Sequence, residues 1–282
     1  MLLGYNSNGL TSHRLEDALR LLADLGYDAI ALTPDVGHLD PLRSSAREVD
    51  EVAALLDSLG LRAVVESGSR FLLDPARKHR PNLLERSATE RGRRVDFLKR
   101  HIEIAAAIAA PVVSLWSGVL PDGVRDEEAR DHMKRGLDEL LACAEQHDIV
   151  LGFEPEPGMW LESVAAVEEM WTVQGRPARL GLTLDVGHLL VTGEGTINDI
   201  LPRLSMQLVQ VHLEDMRPAI HEHLPPGEGD IDFAQVFAAL RRHGYAGPVC
   251  WELSRSSHDA PRLLRLCKEV FDRLATKDQD LD

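Results

Sequence analysis

Two rhythms of apolar residues alternate along the chain, one with the spacing of a buried helical face and one of short apolar runs. Residues 1–6 read as a first strand. Ser12 then stands as an N-cap, and Leu15, Ala18, Leu19 and Leu22 recur at helical spacing until Gly26 stops the helix. DAIALTP is a second strand, followed by a helix over residues 46–59, the strand LRAVVES, and a loop with a helix over 71–109. The strand PVVSLWS, a helix near 127–147, the strand IVLGFE and a helix near 164–173 continue the pattern. Strands ending at Asp185 and His212 come next, then the helix FAQVFAALRRHG, a last strand ending at Glu252 and a closing helix over 260–274. LADLGYDAIALT near the start is echoed by LRRHGYAGPVCWEL near the end, as two copies of one helix-turn-strand unit are. Eight strands alternating with helices predict a single (β/α)8 TIM barrel over residues 1–275, with 276–282 as a C-terminal tail.

Four of these strands close on a side chain able to bind a metal: Glu154 in LGFEPEP, Asp185 in GLTLDVGHLL, His212 in VQVHLED and Glu252 in VCWELS. Strand side chains alternate between faces, so if these four point inward, Phe153, Leu184, Val211 and Trp251 all point outward, and all are apolar. Gly152, Thr183, Gln210 and Cys250 then lie beneath the ligands, a polar or small set suited to a site at the barrel mouth. Three carboxylates and one imidazole suit Mn²⁺ or Mg²⁺, and the imidazole also admits Co²⁺ or Zn²⁺. One divalent ion is the expectation, with Mn²⁺ first. TPDVGH at Thr33 to His38 nearly repeats TLDVGH at Thr183 to His188, which makes Asp35 and His38 rivals. Asp185 is preferred because its strand lies between those of Glu154 and His212. Asn6, Asn8, Thr33, Glu66, Ser67, Trp116 and Ser117 fall at strand ends that gather at the same mouth.

Composition narrows the partners. The chain has 282 residues, 46 acidic against 31 basic, for a formal charge of -15, which disfavours nucleic acid and anionic membrane. Cys143, Cys250 and Cys267 form no close-spaced pair, so neither a disulfide framework nor a cysteine zinc site is indicated, and a cytoplasmic setting is expected. No leader pattern or long apolar run predicts export or a membrane span. A homo-oligomer is left open. Arg70, Arg77, Lys78, His79 and Arg80 form a basic island that either attracts a phosphate or carboxylate or is simply solvated. Trp116, Met159 and Trp160 offer an apolar wall for a sugar, or ordinary packing.

These ligands, with His188 and the segment HEHLPPGEGDIDFAQVFAALRRHGYAGPVCWEL, give a chain that resembles the xylose-isomerase-like TIM-barrel superfamily, in particular its sugar phosphate isomerase/epimerase branch. The resemblance implies that Glu154, Asp185, His212 and Glu252 hold the metal and that His188 and Arg217 contact substrate oxygens. It also implies that Glu154 and Glu252 exchange the proton. His223, Glu66 and Trp116 are added on the substrate side. The implied reaction is isomerisation or epimerisation of a sugar, sugar phosphate or cyclitol ketone through a metal-stabilised enediolate. An inosose or keto-sugar dehydratase or lyase uses the same machinery, and a noncatalytic sugar-binding barrel is a further alternative. The trinuclear-zinc apurinic endonucleases of the superfamily need histidines at the third and fourth strand ends. Here Glu66, Ser67, Trp116 and Ser117 stand there, which argues against that branch.

Overall fold

The computed structural model describes residues 1–275, so the tail expected over 276–282 lies outside the described residues. The barrel strands are β1 (Leu2–Asn6), β2 (Ala29–Leu32), β3 (Arg62–Glu66), β4 (Val112–Leu115), β5 (Val150–Phe153), β6 (Leu180–Asp185) and β7 (Leu208–Leu213). After β7 come a two-stranded hairpin, β8 (Asp215–Arg217) and β9 (Ile220–Leu224), and then the last barrel strand, β10 (Pro248–Trp251). The barrel closes in the order β1-β10-β7-β6-β5-β4-β3-β2, all pairings parallel, with Leu3 opposite Val249 at the seam. This is the (β/α)8 architecture that the alternating pattern predicts.

The helices are α1 (Leu15–Asp24), α2 (Ala46–Leu59), α3 (Ala88–Ala107), α4 (Asp126–His147), α5 (Val164–Val173), α6 (Val186–Thr192), α7 (Ile197–Ile200), α8 (Phe233–Arg242) and α9 (Ala260–Ala275). α2 has a full capping box, in which Ser45 and Glu48 satisfy each other's backbone N–H, and Gly60 ends it in the left-handed region at φ 66°. Ser12 does not cap α1. The chain first makes a 3-10 turn over Ser7–Leu10, and the Ser12 N–H donates to Ser257 Oγ at 2.6 Å, so α1 begins after Arg14 without a side-chain cap.

Phe153, Leu184, Val211 and Trp251 are each at most 1% exposed and belong to the apolar layer between barrel and helices. Ala31, Val64, Val112, Val209 and Cys250 form a separate apolar cluster. Gly152 is one place where only a hydrogen fits, because a Cβ would collide with Thr183 Oγ1. The β6–β7 register shifts between Leu182 and Thr183, skipping Val209, and beyond it Thr183 lies opposite Gln210 and Asp185 opposite His212.

The β8–β9 hairpin was not foreseen. Asp215 builds it: its carboxylate accepts the N–H groups of Met216, Gly227 and Ile231 at 3.1, 2.8 and 3.0 Å. Gly229 passes so close that a Cβ would lie 2.5 Å from Asp215 Oδ1.

Candidate metal centre and active site

Glu154 and Glu252 sit one residue beyond β5 and β10, yet the ladder still holds their backbone. The Glu154 N–H donates to Leu115 O and the Glu252 N–H to Leu213 O, each at 2.8 Å. Asp185 ends β6 and caps α6, accepting the His188 N–H at 2.9 Å. One donor atom from each of Glu154, Asp185, His212 and Glu252 lies within 4.8 Å of the others. His212 Nδ1 is 3.0 Å from Glu154 Oε1 and 3.1 Å from Glu252 Oε2. Its Nε2–H donates to Glu66 Oε1 at 3.0 Å, an oxygen that also accepts from Gln210 Nε2 at 2.5 Å. An imidazole tied down at one nitrogen presents the other as a ligand. Asn8 Nδ2 donates to Glu252 Oε1 at 2.7 Å and fixes that carboxylate.

The set fits a small divalent cation. Ligands bonded at roughly 2.1 Å to one octahedral ion stand roughly 3 to 4 Å apart, the spacing seen around His212 Nδ1. Asp35 belongs to none of the potential metal-binding groups found among the described residues. Its backbone pairs with that of His38, whose ring bonds the His13 carbonyl.

Without a cation, protons do the neutralising. Burial pushes Glu154 up to about 7, with Glu252 and Glu66 adding to the rise against the pull of His212. Burial acts the same way on Glu252, but His212, His223 and the Asn8 hydrogen bond hold it well below the usual carboxylate range. On His212 burial is overridden by Glu66, Glu154 and Glu252, which hold the imidazolium well above its ordinary pKa. A metal must expel these protons. Glu154 is raised from 4.5, so its contribution to the metal-free fold is full below that value and lost as pH passes about 7. Mn²⁺ is therefore expected to raise the melting temperature more at pH 8 than at pH 6. Melting curves with Mn²⁺ or chelator decide it, and equal shifts at the two pH values argue against the site.

Glu214 is the residue that sequence reasoning missed. It is fully buried, accepts the Gly187 N–H at 3.2 Å, and forms a second potential metal-binding group with Asp185, His223 and Glu252. Burial and then Asp185 hold its carboxyl well above the normal range. Its position two residues after His212, on the same strand face by alternation, was the available signal. A third group joins Glu156, His188 and His221. His188 bonds the Pro155 carbonyl through Nδ1 at 3.0 Å and meets His221 through Nε2 at 3.2 Å.

Above the ligands lies a cavity of about 610 Å³. Glu66, Trp116, Glu154, His223 and Glu252 line it, as do Asn6, Asn8, Thr33, Glu156 and Met159. His188 is not on its wall, and its ring meets His221, which is. The structure does not bring Arg217 to the cavity. The hairpin carries it outward, half-exposed, where its guanidinium donates to the Glu228 carbonyl at 2.9 Å. Trp160 is also turned away, its indole N–H on Asp126 Oδ1 at 2.8 Å.

Residues 19–272 match the family model described as xylose isomerase-like TIM barrel. The chain belongs to that family. Within it, the chain is similar to the L-ribulose-5-phosphate 3-epimerase UlaE of Shigella flexneri serotype 5b (strain 8401), at 25% identity over 266 residues, 92% of this chain and 89% of the relative. Among solved structures it resembles a D-tagatose 3-epimerase-like protein at 22% identity and TM-score 0.78, covering 97% of this chain and 99% of the other. It also resembles the IOLI protein with a binding zinc atom, at 20% identity and TM-score 0.78, with 98% of each chain covered. At these identities the two structures share the barrel fold of the xylose isomerase-like family with this chain. Among the described residues no helix is long and apolar enough to cross a membrane.

Proposed function

We propose that this chain is a divalent-cation-dependent epimerase or isomerase of a sugar or cyclitol ketone. The observation that carries the reading is the convergence of two carboxylates, Glu154 buried and Glu252 partly buried, on one imidazole nitrogen and on the wall of one cavity. Two carboxylates at one site allow one to accept a proton and the other to return it. Glu154, Asp185, His212 and Glu252 would hold the cation, which supplies stabilisation of negative charge developing on substrate oxygen. Glu252 Oε2, its partner oxygen held by Asn8, takes the proton from the carbon beside the carbonyl. Glu154 returns one, to the opposite face of that carbon or to its neighbour. Trp116 and Met159 give the cavity an apolar wall for the C–H face of the ring. The sugar epimerases among the relatives support the same class.

The test is incubation of the Mn²⁺-loaded protein with ketoses, ketose phosphates and inososes in D₂O, followed by NMR. Deuterium entering beside the carbonyl is the expected result, and the product identifies epimer, isomer or dehydrated ketone. Turnover of every accepted substrate with no deuterium uptake and no retained C–H transfer in labelled substrate argues for a hydrolytic reaction instead.

A further inference from the structure

Resting on the reading above, we propose that Arg70, Lys78 and Arg255 form an anion subsite on the cavity wall, so that the sugar carries a terminal phosphate or carboxylate. All three line the same cavity as Glu154 and Glu252, and among the described residues none pairs with a carboxylate within 4 Å. The structure sorts the basic island of the sequence into used and unused charges. Arg77 is spent on Asp74 and Glu90, and Arg80 on Glu85. Lys78 and Arg70 are left over, and Arg255 joins them from the loop after β10. Two of the three are pinned by backbone carbonyls that leave other N–H groups free: Arg70 by Ser254 at 3.3 Å and Arg255 by His221 at 3.4 Å.

A fourth cation stands behind the wall. Arg94 is 2% exposed and has no carboxylate partner among the described residues; its guanidinium lies 4.5 Å from the ring centroid of Trp116 and donates to the Ser67 carbonyl at 3.4 Å. The combined field registers on its neighbours. His79 is pushed down to about 3 by burial and then by Lys78, Arg94 and Arg70. Lys78 is lowered by burial, then by Arg70 and Arg255, against the pull of Glu156. Uncompensated cations in a chain of net charge -15 oppose the overall field. A bound anion relieves them, and guanidinium and ammonium groups are the donors that phosphate and carboxylate accept.

The experiment measures binding without turnover. Calorimetry on the Mn²⁺-loaded protein compares a pentitol, its 5-phosphate and the corresponding aldonate, all lacking the ketone. The anionic probe should bind at least about tenfold tighter than the neutral one, the size of one charge-assisted hydrogen bond. The better of phosphate and aldonate identifies the anion. Lys78→Met and Arg255→Gln should each cut the anionic-to-neutral affinity ratio at least about fivefold. Equal binding of neutral and anionic probes, or ratios untouched in both variants, overturns the subsite. The two readings fail separately: anion preference without deuterium exchange on any ketose removes the enzyme, and exchange on ketoses without anion preference removes only the subsite.

Discussion

Glu252→Gln is expected to lower deuterium exchange at the substrate carbon by about a thousand-fold, within the range of roughly 10²- to 10⁴-fold that a positioned acid or base contributes. The amide keeps the shape and can still meet Asn8, but it cannot take a proton. Glu154→Gln should fall by a similar factor, because a reaction that must both remove and return a proton stops when either end is missing. Both residues belong to the proposed cation site, so metal content is measured alongside. Variants that retain one Mn²⁺ per chain and exchange at the wild-type rate would disprove the two-carboxylate mechanism. Retained fold with lost metal points instead to a ligand role alone, which restoring activity with excess Mn²⁺ would establish.

The largest effect on stability is expected one residue earlier. Trp251 is completely buried on the outer face of β10, its ring 5.2 Å from that of Phe233. Its indole N–H has no hydrogen-bond partner among the described residues, so truncation removes packing and no polar contact seen there. Trp251→Ala should therefore cost about 3–5 kcal/mol, the usual range for an aromatic deleted from a core. At roughly 2–4 °C per kcal/mol for a domain of this size, the melting temperature should fall by about 10 °C. A chelated sample keeps metal binding from masking the loss. A fall under about 3 °C would mean that the helices close over the hole or that this face is loosely packed.

Much of this molecule is legible in its residues. The barrel follows from eight short apolar runs separated by helical faces, and the four convergent side chains follow from strand alternation, since Phe153, Leu184, Val211 and Trp251 had to face the helices. What stayed hidden depends on long-range contacts. Nothing local distinguishes Arg94 from its neighbours in ERGRRVDFLKRH, because it is covered by Trp116, which follows β4 more than twenty positions away. The hairpin at β8–β9 depends on Asp215 collecting N–H groups from up to 16 residues away. That same hairpin removes Arg217 from the cavity. A residue five positions after His212 looks close to the mouth in sequence, but it follows the hairpin and not the barrel. The sorting of the basic island into paired and unpaired charges rests on acids such as Glu85 and Glu90, whose approach the run itself does not encode.

The barrel is sealed by its first strand pairing with its last, and Asn8 reaches Glu252 across 244 positions of sequence. This sets a clock on biosynthesis. A nascent chain that stops before Pro248 already carries Glu154, Asp185 and His212, but both β1 and β7 then lack the neighbour that closes the sheet. Synthesis must pass Pro248 before Glu252, the fourth proposed ligand, arrives and two open edges disappear together. Capture of the proposed cation by all four side chains thus waits for β10, and the interval before that strand is made is when the unfinished sheet most needs shielding from other chains.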